Sequence, residues 1–262
     1  MKKLGLALGA GGARGVAHIG FLKALEDNGI KPSYISGSSM GSVIGACYAM
    51  GITPDYMIKA VTSLRSRDIL DLSPNALKSG TLLKSKKMAG LLTRYFGNAE
   101  FDDLNIPFTC VGSDIISGNK VVFSQGRVAT AIQASSSIPL VFAPVAYENM
   151  LIADGSLVSR VPVEEVKKMG ADVVVAVDVL GPIREMDEIK SIFGYFFRLI
   201  DVYDNQVNKL NLEKHPADFY CAPDMGDMSQ YKIDSDKMQF AYQKGYESAL
   251  KIINRLKQKL NS

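Results

Sequence analysis

The sequence is best interpreted from one stretch, Tyr34-Ile35-Ser36-Gly37-Ser38-Ser39-Met40-Gly41-Ser42. A short apolar run there breaks into Gly-x-Ser-x-Gly, and apolar residues at helical spacing follow at once. This pattern is typical of a nucleophile elbow, in which a strained turn between a strand and a helix presents a serine. Gly37 and Gly41 supply the small flanking residues that such a turn needs. The candidate nucleophile is therefore Ser39.

An ordinary Gly/Ser turn that caps a helix is the alternative interpretation, because five-residue matches to Gly-x-Ser-x-Gly also occur by chance. The residues that follow favour the elbow. Gly41, Gly45 and Ala49 form a row of small residues, which predicts that another element approaches this helix closely. The helix would begin beneath Ser39, where its dipole favours developing negative charge.

A glycine-rich segment near the N-terminus is the second motif. Residues 3–8 are predicted to form a buried strand rather than part of a signal peptide, and Gly9-Ala10-Gly11-Gly12-Ala13-Arg14-Gly15 then opens onto a helix ending near Asn28. A dinucleotide fingerprint would need glycine where Arg14 stands, and no Walker Gly-Lys-Ser/Thr follows. The functional interpretation is an oxyanion hole of backbone amides, and a simple strand-to-helix turn is the structural alternative.

The third motif is Asp154, which closes the apolar run Leu151-Ile152-Ala153 and precedes Gly155. Loops converge on an α/β active site at the ends of strands, and a partly desolvated carboxylate there can act as general base for a serine hydroxyl. An Asp-Gly turn without chemistry is the alternative. Asp154 is therefore the candidate partner of Ser39.

These motifs, in this order, resemble the patatin-like phospholipase family, particularly its small bacterial members related to the catalytic domain of neuropathy target esterase. The resemblance covers most of residues 1–165. It implies an α/β fold of three layers, α/β/α, with a mainly parallel central sheet, and a lipid acyl hydrolase with a Ser39–Asp154 dyad. The implied oxyanion donors are the amides of Gly11, Gly12 and Arg14, and the supporting motif residues are Gly9, Gly15, Gly37, Gly41 and Gly155.

The sequence departs from the family pattern at a few positions. Ala10 stands where the family loop has its first glycine, and Ser156 stands where a glycine or alanine usually follows Asp-Gly. Ser159-Arg160 replaces the common Asn-Pro or Asn-Asn. Backbone donors survive these changes, so the dyad is retained while the wall around Asp154 is expected to differ.

A histidine-containing triad is the mechanistic alternative, because α/β-hydrolases use the order Ser, Asp, His. The histidines are His18 and His215. His18 is expected to pack on or orient the glycine loop, and His215 precedes Pro216 in a polar stretch that reads as an exposed linker. A Ser39–Asp154–His215 triad acting on soluble esters, and a non-catalytic regulatory protein of the same fold, both stay open.

Composition, charge and cysteine spacing limit the partners and cofactors that the sequence predicts. The chain of 262 residues has a net charge of +3 with no basic stripe, which gives no indication of a nucleic-acid partner. A single domain spanning residues 1–262 is predicted, with no metal or organic cofactor. Cys47, Cys110 and Cys221 are too widely spaced for a disulfide framework or a zinc site. The expected partner is a lipid or acyl-ester substrate, the expected location is cytoplasmic with peripheral contact at the inner membrane face, and homo-oligomerisation is left open.

Other segments give coarser predictions. Apolar and basic residues alternate over 82–96, as in a surface helix or a helix lying on a membrane, after a loop at 66–80. Residues 128–135 are predicted to form a helix, and the segments 134–139 and 142–145 resemble pocket-lining segments of the patatin-like group.

The C-terminal half carries three further expectations. Residues 172–180 read as a buried strand in which Asp178 is more simply structural than catalytic. The apolar segment 192–200 fits a lid, an acyl-chain contact, a core element or a dimer face. An amphipathic helix that contains Phe240 and Leu256 is predicted to pack on the sheet.

Overall fold

A mixed β-sheet organises the computed structural model, which describes residues 2–63, 86–185, 188–189, 191–231 and 234–262. Within those residues the sheet has eight strands. They are β1 (Leu4–Leu8), β2 (Tyr34–Ser38), β3 (Phe108–Asp114), β4 (Lys120–Phe123), β5 (Val145–Tyr147), β6 (Met150–Ala153), β7 (Val173–Val177) and β8 (Phe219–Cys221).

The strands run in the order β5-β6-β3-β2-β1-β7-β8, and β4 pairs separately with β3. β1 is parallel to β2 and β7, β2 to β3, and β7 to β8. The β3–β4, β3–β6 and β5–β6 pairs are antiparallel. The prediction of a mainly parallel sheet is confirmed, and the ends of β1 and β2, which carry two of the motifs, are adjacent.

Helices connect and cover these strands. Gly12–Val16 forms a 3₁₀ turn before the first α-helix. The α-helices among the described residues are α1 (Ala17–Asp27), α2 (Met40–Ala49), α3 (Pro54–Ser63), α4 (Lys86–Phe96), α5 (Val128–Ser135), α6 (Val163–Lys168), α7 (Ile192–Lys214), α8 (Ser235–Leu250) and α9 (Ile253–Asn261). No described helix has both the length and the apolar character needed to cross a membrane.

The two faces of the sheet bury separate apolar clusters, as the alternation of side chains along a strand requires. Leu6 and Leu8 of β1 join the larger cluster with side chains of α1, α2 and α8. Ala7 points the other way and joins a smaller cluster with Val163 and Val166 of α6. Helices on both faces give the predicted three layers.

The C-terminal helical region differs from its prediction. It forms two helices, α8 and α9, and α8 packs closely against α1. A Cβ added at Gly20 of α1 would lie 1.9 Å from the Tyr242 carbonyl oxygen, and one added at Gly245 would lie 1.8 Å from the Ala17 carbonyl oxygen. Backbone-to-backbone approach at two glycines therefore fixes this helix pair, which apolar periodicity alone did not indicate.

The predictions for 172–180 and for 66–85 have different outcomes. The strand predicted over 172–180 ends at Val177, because the Asp178 carboxylate accepts the Leu180 and Gly181 amides and turns the chain. The loop predicted at 66–80 and the first part of the amphipathic segment, 82–85, lie outside the described residues.

Candidate active site

Ser39 occupies the turn between β2 and α2 in a backbone conformation that side chains rarely adopt, with φ 51° and ψ −125°. Such residues are strained and persist only where their surroundings hold them. A Cβ at Gly37 would lie 2.5 Å from Ser42 Cα, and one at Gly41 would lie 2.1 Å from the Leu8 carbonyl oxygen. The motif glycines therefore allow α2 and β1 to approach the turn.

Two serines that the sequence analysis did not single out hold this turn. The Ser39 amide donates to Ser135 Oγ at 3.0 Å, and Ser42 Oγ donates to the Ser39 carbonyl oxygen at 2.6 Å. Ser135 is fully buried at the end of α5. A run of serines at the end of an apolar helix was the available signal, because buried hydroxyls require partners.

Ser39 and Asp154 meet directly. Ser39 Oγ donates to Asp154 Oδ2 at 2.6 Å, and Asp154 Oδ1 accepts the Ser156 amide at 2.9 Å. The backbone of Asp154 is fixed on both sides, because its amide donates to the Ser137 carbonyl and its carbonyl accepts from Ser113 Oγ. Asp154 is only 2% exposed, and burial raises the pKa of its carboxyl, while the bonds from Ser39 and Ser156 act in the opposite direction.

The glycine loop offers two free amides. Those of Gly11 and Gly12 donate to no other described residue, whereas the Ala13 amide donates to the Gln230 carbonyl. Gly12 has φ +49°, and a Cβ there would lie 2.3 Å from the Gln230 carbonyl oxygen, so only glycine fits. The third expected oxyanion donor, the Arg14 amide, donates instead to the Gly11 carbonyl at 3.0 Å within the 3₁₀ turn.

The other motif glycines lie at tight backbone contacts. In each case an added Cβ would fall within 3.0 Å of a neighbouring atom. The contacts are Gly9 with the Val177 carbonyl oxygen, Gly15 with the Met40 side chain, and Gly155 with the Val111 carbonyl oxygen.

Neither histidine stands between Ser39 and Asp154. His18 is fully buried and donates from Nε2 to the Gly9 carbonyl at 2.7 Å, as expected for a residue that orients the glycine loop. Burial lowers the pKa of His18 to about 4. His215 ends α7, and its Nε2 lies 3.7 Å from Glu164 Oε1. The hydrogen bonds that Ser39 Oγ and the Asp154 carboxylate form among the described residues do not involve His215.

An apolar cavity of about 380 Å³ opens at Ser39. Helices α2, α3 and α4, the segment after α5, and α7 contribute its wall. The lining residues include Val43, Cys47, Tyr56, Met57, Met88, Leu91, Leu92, Tyr95, Phe96, Ile138, Val141, Phe142 and Phe197. The apolar side of α4 therefore faces this cavity. Contact of this helix with a membrane stays a prediction. The resemblance of 134–139 and 142–145 to pocket-lining segments agrees with the positions of Ile138 and Phe142.

Asp178 has a structural environment, as expected. It is fully buried and bonds to Arg160 Nη2 at 2.5 Å, Tyr220 OH at 2.6 Å and Asn208 Nδ2 at 3.2 Å, besides two amides of the following turn. The segment 192–200 forms the start of α7, where Ile192 is 76% exposed while Phe197 lines the apolar cavity.

Comparison with known proteins matches this geometry to a family. The family model described as "Patatin-like phospholipase" matches residues 6–167. An "uncharacterized NTE family protein" of Mycobacterium bovis is 36% identical over 179 residues, which cover 68% of this chain and 49% of that protein. "Lysophospholipase NTE1" of Coccidioides immitis is 36% identical over 184 residues, which cover 68% of this chain and 12% of that protein. The chain thus spans half or less of the length of these relatives.

Two solved structures share the fold. VipD from Legionella pneumophila has a TM-score of 0.61 at 13% identity, covering 97% of this chain and 67% of that one. The type III effector protein ExoU has a TM-score of 0.50 at 14% identity, covering 97% of this chain and 53% of that one. Taken together with the family match across the elbow, the glycine loop and Asp154, these comparisons show that the chain belongs to the patatin-like phospholipase family.

Proposed function

We propose that this protein is a serine esterase that hydrolyses lipid acyl esters, with Ser39 as nucleophile and Asp154 as general base. One observation carries the proposal, namely the 2.6 Å hydrogen bond from the hydroxyl of Ser39, which lines an apolar cavity, to the buried carboxylate of Asp154. A nucleophile held by a base beside space for an acyl chain is the arrangement that ester hydrolysis needs.

The proposed reaction has two halves. Asp154 takes the Ser39 hydroxyl proton while Oγ bonds to the ester carbonyl carbon, and the Gly11 and Gly12 amides stabilise the oxyanion. The tetrahedral intermediate collapses, and Asp154 returns the proton to the departing alcohol. Water then repeats the sequence, with Asp154 as base, and releases the carboxylic acid and free Ser39. The raised pKa of the Asp154 carboxyl suits this role because it makes the carboxylate a stronger base.

The cavity supports a substrate with an apolar acyl chain. Its lining is almost wholly side chains of Val, Ile, Leu, Met, Phe and Tyr, which favour a hydrocarbon over a polar group. A relative named lysophospholipase supports phospholipid or lysophospholipid esters as the substrate class.

Fluorophosphonate labelling with peptide mapping tests the proposal. The probe's phosphorus is attacked by Ser39 Oγ and fluoride leaves, so the label should map to the peptide containing Ser39. Ser39→Ala should abolish labelling, and Asp154→Asn should slow it by about 100-fold or more because the general base is lost. Ser63→Ala, at an exposed serine at the end of α3, is the matched control and should label normally.

The same assay separates the alternatives. His215→Ala should label at the wild-type rate, whereas a tenfold or greater loss would favour a triad. A regulatory protein without catalysis would give no labelling of Ser39 in the folded wild type, and that outcome would end the proposal.

A further inference from the structure

A second cavity, of about 190 Å³, borders the glycine loop at Arg14 and is called the polar cavity here because half of its lining residues are charged. Gly12 and Ala13 line the apolar cavity, the next residue Arg14 lines the polar one, and Gln230 lines both. Four arginines and two aspartates line the polar cavity: Arg14, Arg160, Arg184, Arg198, Asp201 and Asp204.

Two of these arginines are held in place by backbone carbonyls rather than by ion pairs among the described residues. Arg14 donates from Nε to the Met228 carbonyl and from Nη1 to the Leu180 carbonyl, and Arg198 donates from Nη2 to the Arg184 carbonyl. Neither forms an ion pair with a carboxylate among the described residues. Burial, followed by repulsion from Arg184, lowers the pKa of Arg14. A guanidinium has five N–H donors, so both retain donors for a ligand.

Buried donors in the same wall also lack partners. Arg160 and Asn205 are each 3% exposed, and Arg160 Nε and Asn205 Nδ2 donate to nothing among the described residues. Buried polar groups are rarely left unpaired, so such donors indicate a missing acceptor. The two carboxyls of this wall oppose an anion less than exposed carboxylates would, because burial raises the pKa of Asp204 to about 8 and also raises the pKa of Asp201, which attracts Arg14 and Arg198.

From the two guanidiniums outside ion pairs and the unpaired buried donors, we infer that the polar cavity binds a phosphate group. Phosphate offers several acceptor oxygens and negative charge, which matches guanidinium donors converging from the glycine loop, the segment after β6, and α7. The cavity has room for such a group, since its volume equals the share of about six liquid waters.

The position of the cavity indicates the source of the phosphate. The polar and apolar cavities share Gln230 and are lined by consecutive residues of the glycine loop, so they are neighbours, as the head group and acyl chain of one lipid are. We therefore assign the phosphate to the head group of a monoacyl phospholipid. This assignment rests on the proposed function, whereas phosphate binding itself does not.

Direct binding is the first arm of the test. Titration calorimetry of the full chain with inorganic phosphate and with glycerol 3-phosphate, at constant ionic strength, should show binding to the wild type. Arg198→Gln should weaken it about tenfold or more, because a charge-assisted hydrogen bond is lost. Arg127→Gln, at an exposed arginine before α5, is the matched control and should bind as the wild type does. No binding, or equal binding by Arg198→Gln and the wild type, overturns the site.

Kinetics is the second arm and identifies the source. Lysophosphatidic acid and a monoacylglycerol with the same acyl chain differ only in the phosphate. Arg198→Gln should raise KM about tenfold for the first and leave kcat/KM for the second within about twofold. Phosphate should compete with lysophosphatidic acid. Equal losses on both lipids, or phosphate binding without competition, overturn the head-group assignment. If neither lipid is hydrolysed, the proposed function fails and the calorimetry still decides whether the site exists.

Discussion

Asp154 and Asp178 come from the same sequence pattern, an aspartate that closes an apolar strand, yet the structure treats them differently. Both are buried. Asp178 accepts hydrogen bonds from Arg160, Asn208, Tyr220 and two backbone amides, so its charge and its lone pairs are fully used. Asp154 accepts hydrogen bonds from Ser39 and Ser156 and from no basic side chain among the described residues.

In this protein, the number and charge of the hydrogen-bond partners distinguish the structural carboxylate from the one proposed to react. A carboxylate paired with a guanidinium is a weak base, because the positive charge stabilises its ionised form. Asp154 has no cationic partner among the described residues, and the hydroxyl that it is proposed to deprotonate donates to it directly. Variants of each aspartate test this difference.

The largest effect is expected in catalysis. Asp154→Asn should lower kcat for ester hydrolysis by about 10³-fold, since a general base contributes roughly 10²–10⁴-fold. Folding should be preserved, because the amide oxygen can still accept from Ser39 or the Ser156 amide. The measurement is steady-state hydrolysis of a chromogenic acyl ester, with circular dichroism to check the fold. A variant with wild-type kcat would remove Asp154 from the chemistry.

The next effect concerns stability. Asp178→Asn should lower the free energy of unfolding by about 3–5 kcal/mol, because it removes the nearer of two carboxyl partners of the 3%-exposed Arg160. Urea denaturation measures this loss. The matched control is Asp55→Asn, whose side chain is 61% exposed and pairs with Lys23, where the change should stay below about 1 kcal/mol. If Asp178→Asn abolished hydrolysis in a fully stable protein, the two aspartates would not differ as described.

The sequence predicted the parts of the site that depend on local backbone geometry. The elbow, the glycine loop and the strand end before Asp154 each lie within a few consecutive residues, and the glycines there meet specific close contacts. The resemblance to the family then related the three motifs to one another. The single-domain prediction for residues 1–262 stays a prediction.

What the sequence did not predict depends on contacts between distant residues. The Arg14 amide is consumed inside a 3₁₀ turn, which the motif spacing does not reveal. Ser135 reaches the Ser39 amide across 96 positions of sequence, and Tyr220 reaches Asp178 across 42. The α1–α8 packing requires Gly20 and Gly245 to coincide in space. Local sequence patterns do not predict such contacts, because the residues that form them are far apart in the chain.

A third test uses pH and the neighbour of both aspartates, Asp204. Burial raises the pKa of its carboxyl to about 8, while attraction to Arg160 acts against this and Asp178 and Asp154 reinforce it. Between about pH 4 and pH 8 the folded protein holds a proton that the unfolded chain has released. Stability should therefore fall as pH rises through that window, by up to about 1.4 kcal/mol per pH unit from this group.

Asp204→Asn isolates that contribution. The stability difference between wild type and variant, from urea denaturation at a series of pH values, should move against the wild type between pH 4 and pH 8 and level off above it. Because Asp154 and Asp201 also have raised pKa values, part of the slope should persist in the variant. A pH-independent difference would mean that Asp204 is ionised in the folded protein.

The smallest effect is expected in the stability of variants at Ser39, whose hydroxyl donates to Asp154. At φ 51° and ψ −125°, the backbone of Ser39 is strained because the residue carries a Cβ, and glycine relieves that strain. Ser39→Gly should therefore be more stable than Ser39→Ala by about 1 kcal/mol. Both variants lack the hydroxyl, so the difference reports the backbone alone. At exposed Gln243 in the helical backbone of α8, the order should reverse, with Gln243→Gly less stable than Gln243→Ala by about 1 kcal/mol. If glycine were the less stable choice at both positions, the turn beneath Ser39 would not be strained, and the nucleophile would owe its position to the Asp154 and Ser135 hydrogen bonds instead.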